Sequence, residues 1–66
     1  MKLTVNGNHR ESPADQTVAS LLGEMGMDGR PVAVEVNAQL VPKRQHENVT
    51  LRDGDVIELV TLVGGG

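Results

Sequence analysis

The 66-residue chain contains no cysteine and no aromatic residue. The lack of cysteine excludes disulfides, thiolate metal sites and a cysteine nucleophile. The lack of Phe, Tyr and Trp removes the stacking platforms on which single-stranded nucleic acids are bound. Six Lys and Arg against nine Asp and Glu give a formal net charge of -3, whereas nucleic-acid-binding faces are basic. We therefore expect no nucleic-acid partner.

Long apolar runs are missing as well. The opening segment, MKLTVNGNHR, lacks the apolar core of a signal peptide. No stretch approaches the roughly 20 apolar residues that span a bilayer. We therefore predict a cytoplasmic protein without a membrane partner. The length suffices for one domain, which we expect to be a monomer by itself.

Hydrophobic periodicity predicts a hairpin and one helix in the first half of the chain. Leu3 and Val5 alternate with polar residues, as in a half-buried strand. Asn6-Gly7 favours a type I′ turn, and the polar residues 9–12 that follow are typical of an edge strand. The helix is indicated by a single apolar stripe, which consists of Val18, Leu21, Leu22 and Met25.

The sequence also indicates how this helix begins and ends. Asp15 or Thr17 can cap its N-terminus by accepting a hydrogen bond from a free backbone N–H, and the sequence does not choose between them. Gly26 is suited to the left-handed conformation just beyond the helix end. Gly23 inside the helix lowers helix stability, which suggests that another group packs closely against it.

The second half of the chain predicts three strands and two turns. Residues 32–36 are β-branched and alternating, Asn37-Ala38 turns the chain, and residues 39–41 form a short strand. Residues 43–50 are expected to be polar and irregular. A turn over residues 52–55 precedes a last strand over residues 56–63.

These elements together predict an α+β protein with the ubiquitin-like β-grasp fold. The helix has to bury its stripe, and one face of the sheet is the available partner. We expect a mixed sheet of four to five strands packed on one main helix. The predicted domain covers residues 1–63, and residues 64–66 form a flexible C-terminal glycine tail.

The last strand offers a candidate docking surface. If Ile57 and Leu59 face the helix, Val60 and Leu62 point to the opposite side of the sheet. Exposed apolar patches often mark protein interfaces, so Val60, Leu62 and Val63 are candidates for partner docking. The sequence leaves open the alternative that Leu62 and Val63 cover the end of the sheet.

The tail, Gly64-Gly65-Gly66, has no side chains. Fully extended, three residues reach roughly 10 Å, which would let a thin thread enter a narrow channel of another protein. The terminal carboxylate is ionised at neutral pH, so it is a poor electrophile until another enzyme activates it. A frayed terminus without a function is the alternative interpretation.

Other polar pairs give no catalytic or metal site. His9 and Glu11 share a strand face, and His46 precedes Glu47. Neither pair has a nucleophile or a third ligand at suitable spacing, so both are expected to be solvated surface. The DGD segment at residues 53–55 resembles part of a calcium loop, but the other ligands are missing and a turn is favoured.

Four segments resemble the ThiS family, the sulfur carrier proteins of thiamine biosynthesis. They cover nearly the whole chain and are MKLTVNG, QTVASLL, VAVEVNAQLVPK and RDGDVIELVTLVGGG. One departure is Ser20, where many members carry a glutamate, and this weakens a helix capping box.

The resemblance implies a mechanism in which the chain is a carrier and not an enzyme. A ubiquitin-activating-type adenylyltransferase would join AMP from ATP to the carboxylate of Gly66. Sulfur from a donor would then replace AMP, and thiazole synthase would take its sulfur from the resulting thiocarboxylate. Gly64 and Gly65 would form the tail, and no cofactor would be bound.

Two related functions remain as alternatives. One is the small subunit of molybdopterin synthase, which the absence of aromatic residues disfavours. The other is a ubiquitin-like protein modifier that is joined through Gly66 to lysines of target proteins.

Overall fold

Five strands and one α-helix follow one another along residues 1–61, the part of the chain that the computed structural model describes. The predicted docking residues Leu62 and Val63 and the predicted tail, Gly64–Gly66, lie outside the described residues. The elements are β1 (Lys2–Val5), β2 (Asn8–Glu11), α1 (Val18–Glu24), β3 (Val32–Val36), β4 (Gln39–Val41), a 3-10 helix (Lys43–Gln45) and β5 (Val56–Thr61).

The strands form one mixed sheet with the order β2-β1-β5-β3-β4. Strands β1 and β5 pair in parallel, and the other neighbours pair antiparallel. Strand β5, the last of the strands within residues 1–61, thus lies at the centre of the sheet. The predicted β-grasp fold, a mixed sheet with one α-helix, is confirmed.

Two turns of the same type connect the outer strand pairs. Asn6 and Gly7 have φ angles of 50° and 82°, and Asn37 and Ala38 have φ angles of 52° and 67°. Positive φ at both central residues is the signature of a type I′ turn, whose twist matches that of the flanking strands. Both predicted turns are confirmed. Ala38 is the costly member, since a side chain at positive φ is disfavoured by roughly 1–2 kcal/mol.

Thr17 is the residue that caps the helix. Its Oγ1 accepts a hydrogen bond from the Ser20 backbone N–H at 3.1 Å, and Ser20 Oγ accepts one from the Thr17 N–H at 2.9 Å. These reciprocal bonds form a capping box. Serine at position 20 therefore still closes the box, although its side chain is shorter than glutamate.

The helix ends in a Schellman motif. Gly26 has φ 72°, its N–H donates to the Gly23 carbonyl at 3.1 Å, and the Met27 N–H donates to the Leu22 carbonyl at 2.8 Å. The predicted role of Gly26 is confirmed. The prediction of close packing at Gly23 is wrong, because no atom lies within 4 Å of a Cβ built there.

The core lies between α1 and the sheet. It includes the buried stripe residues of the helix and one side of each strand except β2, and it consists of Leu3, Val5, Val18, Leu21, Leu22, Val34, Val41, Leu51, Ile57 and Leu59. Met25, the fourth stripe residue, is half-buried and packs against this cluster. Within residues 1–61, no helix has the length and apolar character that crossing a bilayer requires.

The segment over residues 43–50 is more ordered than predicted. His46 is buried, its Nε2 lies 3.1 Å from the Val41 carbonyl, and its own carbonyl accepts a bond from the Ala19 N–H at 2.9 Å. The prediction of a solvated His46 is therefore wrong, because its ring contacts the end of β4 and its backbone carbonyl is bonded to the first turn of the helix. Glu47 is exposed, as predicted.

Candidate functional site

Strand β5 leads to the carboxyl end of the chain and is held by both of its neighbours. Its parallel pairing with β1 includes Val5 and Ile57. Its antiparallel pairing with β3 is longer and extends to Val32 opposite Thr61. The backbone is therefore fixed in the sheet up to Thr61, the last described residue.

The side chain of Asn6 extends the pairing between β1 and β5. Its Oδ1 accepts a hydrogen bond from the Leu59 N–H at 2.7 Å, and its Nδ2 donates to the Leu59 carbonyl at 3.1 Å. The Asn6 backbone N–H already donates to the Ile57 carbonyl at 2.9 Å. The side-chain amide of Asn6 thus continues the pairing with β5 beyond the point where the backbone of β1 leaves the sheet. The sequence indicated only the turn at Asn6 and not this clamp.

Replacement of Asn6 by glycine should loosen the second half of β5 without disturbing the turn, because glycine adopts positive φ readily. Two hydrogen bonds to buried backbone are lost, so we expect unfolding free energy to fall by about 1–3 kcal/mol in urea. Amide exchange at Leu59 should accelerate more than exchange at Val34 in β3. Unchanged protection of the Leu59 N–H would contradict the clamp.

Asn37 plays the corresponding part at the beginning of β5. Its backbone N–H donates to the Val56 carbonyl at 2.7 Å, and its Oδ1 accepts from the Val56 N–H at 3.0 Å. Its Nδ2 donates to the Asp55 carboxylate at 2.9 Å. Two type I′ turns therefore each contribute one asparagine that anchors the central strand.

The acidic turn before β5 has a structural role. The Asp55 carboxylate accepts a hydrogen bond from the Arg52 N–H at 2.8 Å, and that of Asp53 accepts one from the Lys2 N–H at 2.7 Å. The interpretation of this segment as a turn is confirmed. Among residues 1–61, no group of three His, Asp or Glu side chains is arranged to hold a metal ion.

The predicted parity of β5 is confirmed. Ile57 and Leu59 are buried against the helix, whereas Val56 and Val60 are 44% and 57% exposed on the opposite side of the sheet. Leu40 of β4, which is 67% exposed, lies on the same side, because it pairs with Glu35 while its neighbour Val41 is in the core. We refer to Glu35, Leu40, Val56, Glu58 and Val60 together as the outer face.

The helix side of the molecule has an open groove of about 580 Å³. Ala19, Leu22 and Met27 contribute apolar lining, and Arg30 and Lys43 contribute positive charge. None of its lining residues has a hydroxyl or thiol group that could act as a nucleophile.

A polar network between β2 and α1 was not predicted. Gln16 is buried, and its Nε2 donates to Ser20 Oγ at 2.9 Å and to the Glu24 carboxylate at 3.1 Å. Arg10 forms an ion pair with the same carboxylate at 3.1 Å. The hydrogen bonds from Gln16 and Arg10 hold the pKa of Glu24 below its ordinary value. This network connects β2 to the helix and touches neither β5 nor the outer face.

The remaining predicted pairs are surface residues. His9 and Glu11 are exposed on β2, as expected, and β2 lies at the edge of the sheet. It begins one residue earlier than predicted, at Asn8.

The fold, with its helix on one side of a mixed sheet and an apolar outer face on the other, defines a ubiquitin-like β-grasp domain. The family model described as "ThiS family" matches residues 3–66. The chain belongs to the ThiS family.

Individual relatives agree with this assignment. The sulfur carrier protein ThiS of Bacillus subtilis is 37% identical over 65 residues, which cover 97% of this chain and 98% of that protein. The crystal structure of the thiamine biosynthesis protein ThiS from Geobacter metallireducens matches with a TM-score of 0.85 and 30% identity, and the match covers 100% of both chains.

A longer protein also contains this domain. A thiazole synthase of Paramagnetospirillum magneticum is 50% identical over 66 residues, which are 100% of this chain but only 20% of that enzyme. The chain thus spans a fifth of the length of this relative.

Proposed function

We propose that the chain is a sulfur carrier protein of thiamine biosynthesis and that the carboxyl end, Gly66, carries the sulfur. The observation that carries this proposal is the family match, which extends through residue 66 and so includes the terminal glycines. The central strand β5 spans Val56–Thr61. The segment after it therefore starts from a backbone that is fixed in the sheet.

The proposed chemistry requires a separate activating enzyme. The Gly66 carboxylate attacks the α-phosphorus of ATP, and pyrophosphate leaves with the electrons of the broken P–O bond. A sulfur nucleophile at the oxidation level of hydrosulfide then attacks the acyl carbon, and AMP leaves. The product is a thiocarboxylate, and no electrons are gained or lost. ATP and the sulfur donor belong to the partner's reaction, so the chain itself needs no cofactor.

Glycine suits such a terminus for a physical reason. A residue without Cβ has the smallest cross-section and the widest choice of dihedral angles. Gly64 and Gly65 would therefore let the reactive carboxylate enter a narrow site while the β-grasp domain stays outside.

The expected partners are a ubiquitin-activating-type adenylyltransferase and thiazole synthase. The similarity to a segment within a thiazole synthase supports the second partner, since domains that act together are often joined in one chain. We propose that Val60, together with Leu62 and Val63, forms part of the docking surface. The 57% exposure of the Val60 side chain supports this role.

Intact-mass measurement tests the proposal. The chain is incubated with ATP, the adenylyltransferase encoded in the same genome and a sulfide source. We expect a mass increase equal to the difference between sulfur and oxygen, with no increase when ATP is omitted. Isopeptide conjugates to other proteins in place of this increase would contradict a carrier function and indicate a modifier.

A further inference from the structure

The register of β3 and β5 places two carboxylates side by side on the outer face. Glu35 is directly opposite Glu58, and both residues are exposed. The Cβ atoms of directly opposed residues lie about 4.5–5.5 Å apart, and like charges in this arrangement destabilise a sheet. The fold therefore retains a pair that stability alone disfavours.

Apolar side chains surround the glutamate pair. Val56 and Val60 lie two residues before and after Glu58 on β5, and Leu40 lies opposite Glu35 on β4. These three are the large hydrophobic residues that are exposed within residues 1–61. All of them are on the same face, which is the distribution of a protein interface with a central charge and not of scattered surface residues.

Neither glutamate of this pair forms an ion pair with another of the described residues. The ion pair found among residues 1–61 joins Arg10 to Glu24. Lys2 is on the outer side of β1, but the register of β1 with β5 places it level with Gly54, roughly 13 Å along the strand from Glu58. A second copy of this face would bring two more carboxylates to the pair, so self-association through it is disfavoured.

We propose that the outer face binds a surface of the activating adenylyltransferase that presents arginine or lysine side chains among apolar ones, with Glu35 and Glu58 facing the basic groups. This inference rests on the proposed function. It adds where on the domain the adenylyltransferase binds and which charge its binding surface carries. The apolar residues supply contact area, and the two carboxylates select a basic partner and speed its association. Continuity with β5 places this contact next to the segment that leads to Gly66.

The test compares the double variant Glu35→Gln, Glu58→Gln with the control Glu47→Gln. Glu47 is also an exposed glutamate, but it lines the groove on the helix side. Binding to the purified adenylyltransferase is measured by calorimetry at low and high salt. We expect the double variant to bind about tenfold more weakly at low salt and to lose most of its salt dependence. The control should match the wild-type chain.

A second readout separates recognition from folding. The double variant should melt at the same temperature as the wild-type chain or higher, because like-charge repulsion is relieved. Equal affinities and salt dependences for the double variant and Glu47→Gln would overturn the inference. Sulfur loading of the wild-type chain, measured in parallel, tests the proposed function separately. Loading with no binding difference between variants would refute only the charge-selective interface.

Discussion

Removal of Gly65 and Gly66 is expected to abolish sulfur loading while the domain remains folded. The proposed acceptor is the terminal carboxylate, and the shortened chain would end at Gly64, two residues closer to the sheet. The core and the hydrogen bonds of β5 involve residues up to Thr61, so unfolding should be little affected. Intact mass measures loading, and circular dichroism measures the melting temperature.

A matched variant separates the reach of the tail from its width. Gly66→Ala keeps the length and the carboxylate and adds one methyl group. It should load more slowly than the wild-type chain but should not lose loading completely. Loading of the shortened chain at the wild-type rate would contradict the proposal, as would a fall of many degrees in its melting temperature.

The second large effect is expected in the core. Ile57 is fully buried at the centre of the sheet, and replacement by alanine should reduce the free energy of unfolding by about 2–5 kcal/mol. A domain of this size is stable by only about 3–10 kcal/mol, so the variant should lie near the limit of folding. Urea denaturation measures the change.

Val56→Ala provides the control for this prediction. Val56 is the preceding residue on the same strand but points to the outer face. Its replacement should cost less than about 1 kcal/mol, the range of strand propensities on a sheet surface. Equal losses from the two variants would show that the side-chain parity of β5 is wrong, and with it the outer face.

Local patterns predicted most of the fold. Asn6-Gly7 specified a tight turn because few residue pairs tolerate two consecutive positive φ angles. Asn37 indicated the second turn because asparagine tolerates the left-handed region, although Ala38 does not favour it. The bounds of β3, residues 32–36, followed from β-branched alternation and were confirmed. The inward orientation of the Ile57 and Leu59 side chains was predicted because the carboxylate of Glu58, which lies between them, has to be solvated. In each case the interactions that determine the structure are between residues that are close in the sequence.

The features that were missed depend on contacts between distant segments. The Asn6 side chain reaches Leu59, which is 53 residues away, and no local pattern predicts that pair. His46 has the sequence context of a surface residue, and its burial depends on the carbonyl of Val41 at the end of β4. The opposition of Glu35 and Glu58 exists only in the observed register of β3 and β5.

The helix has features that were predicted from the sequence and features that were not. Its apolar stripe and Gly26 were predicted from spacing, whereas the choice of Thr17 over Asp15 as the cap required the geometry of Ser20. Gly23 was misjudged because a glycine with open space around it and a glycine in close contact have the same sequence signature.

Fragmentation mass spectrometry of the chain, after loading with ATP, the adenylyltransferase and sulfide, locates the position of the added sulfur. We expect the added mass to be confined to fragments that contain the carboxyl group of Gly66. An added mass on any side chain, or its presence in fragments that lack Gly66, would contradict a carrier that holds sulfur at its carboxyl end.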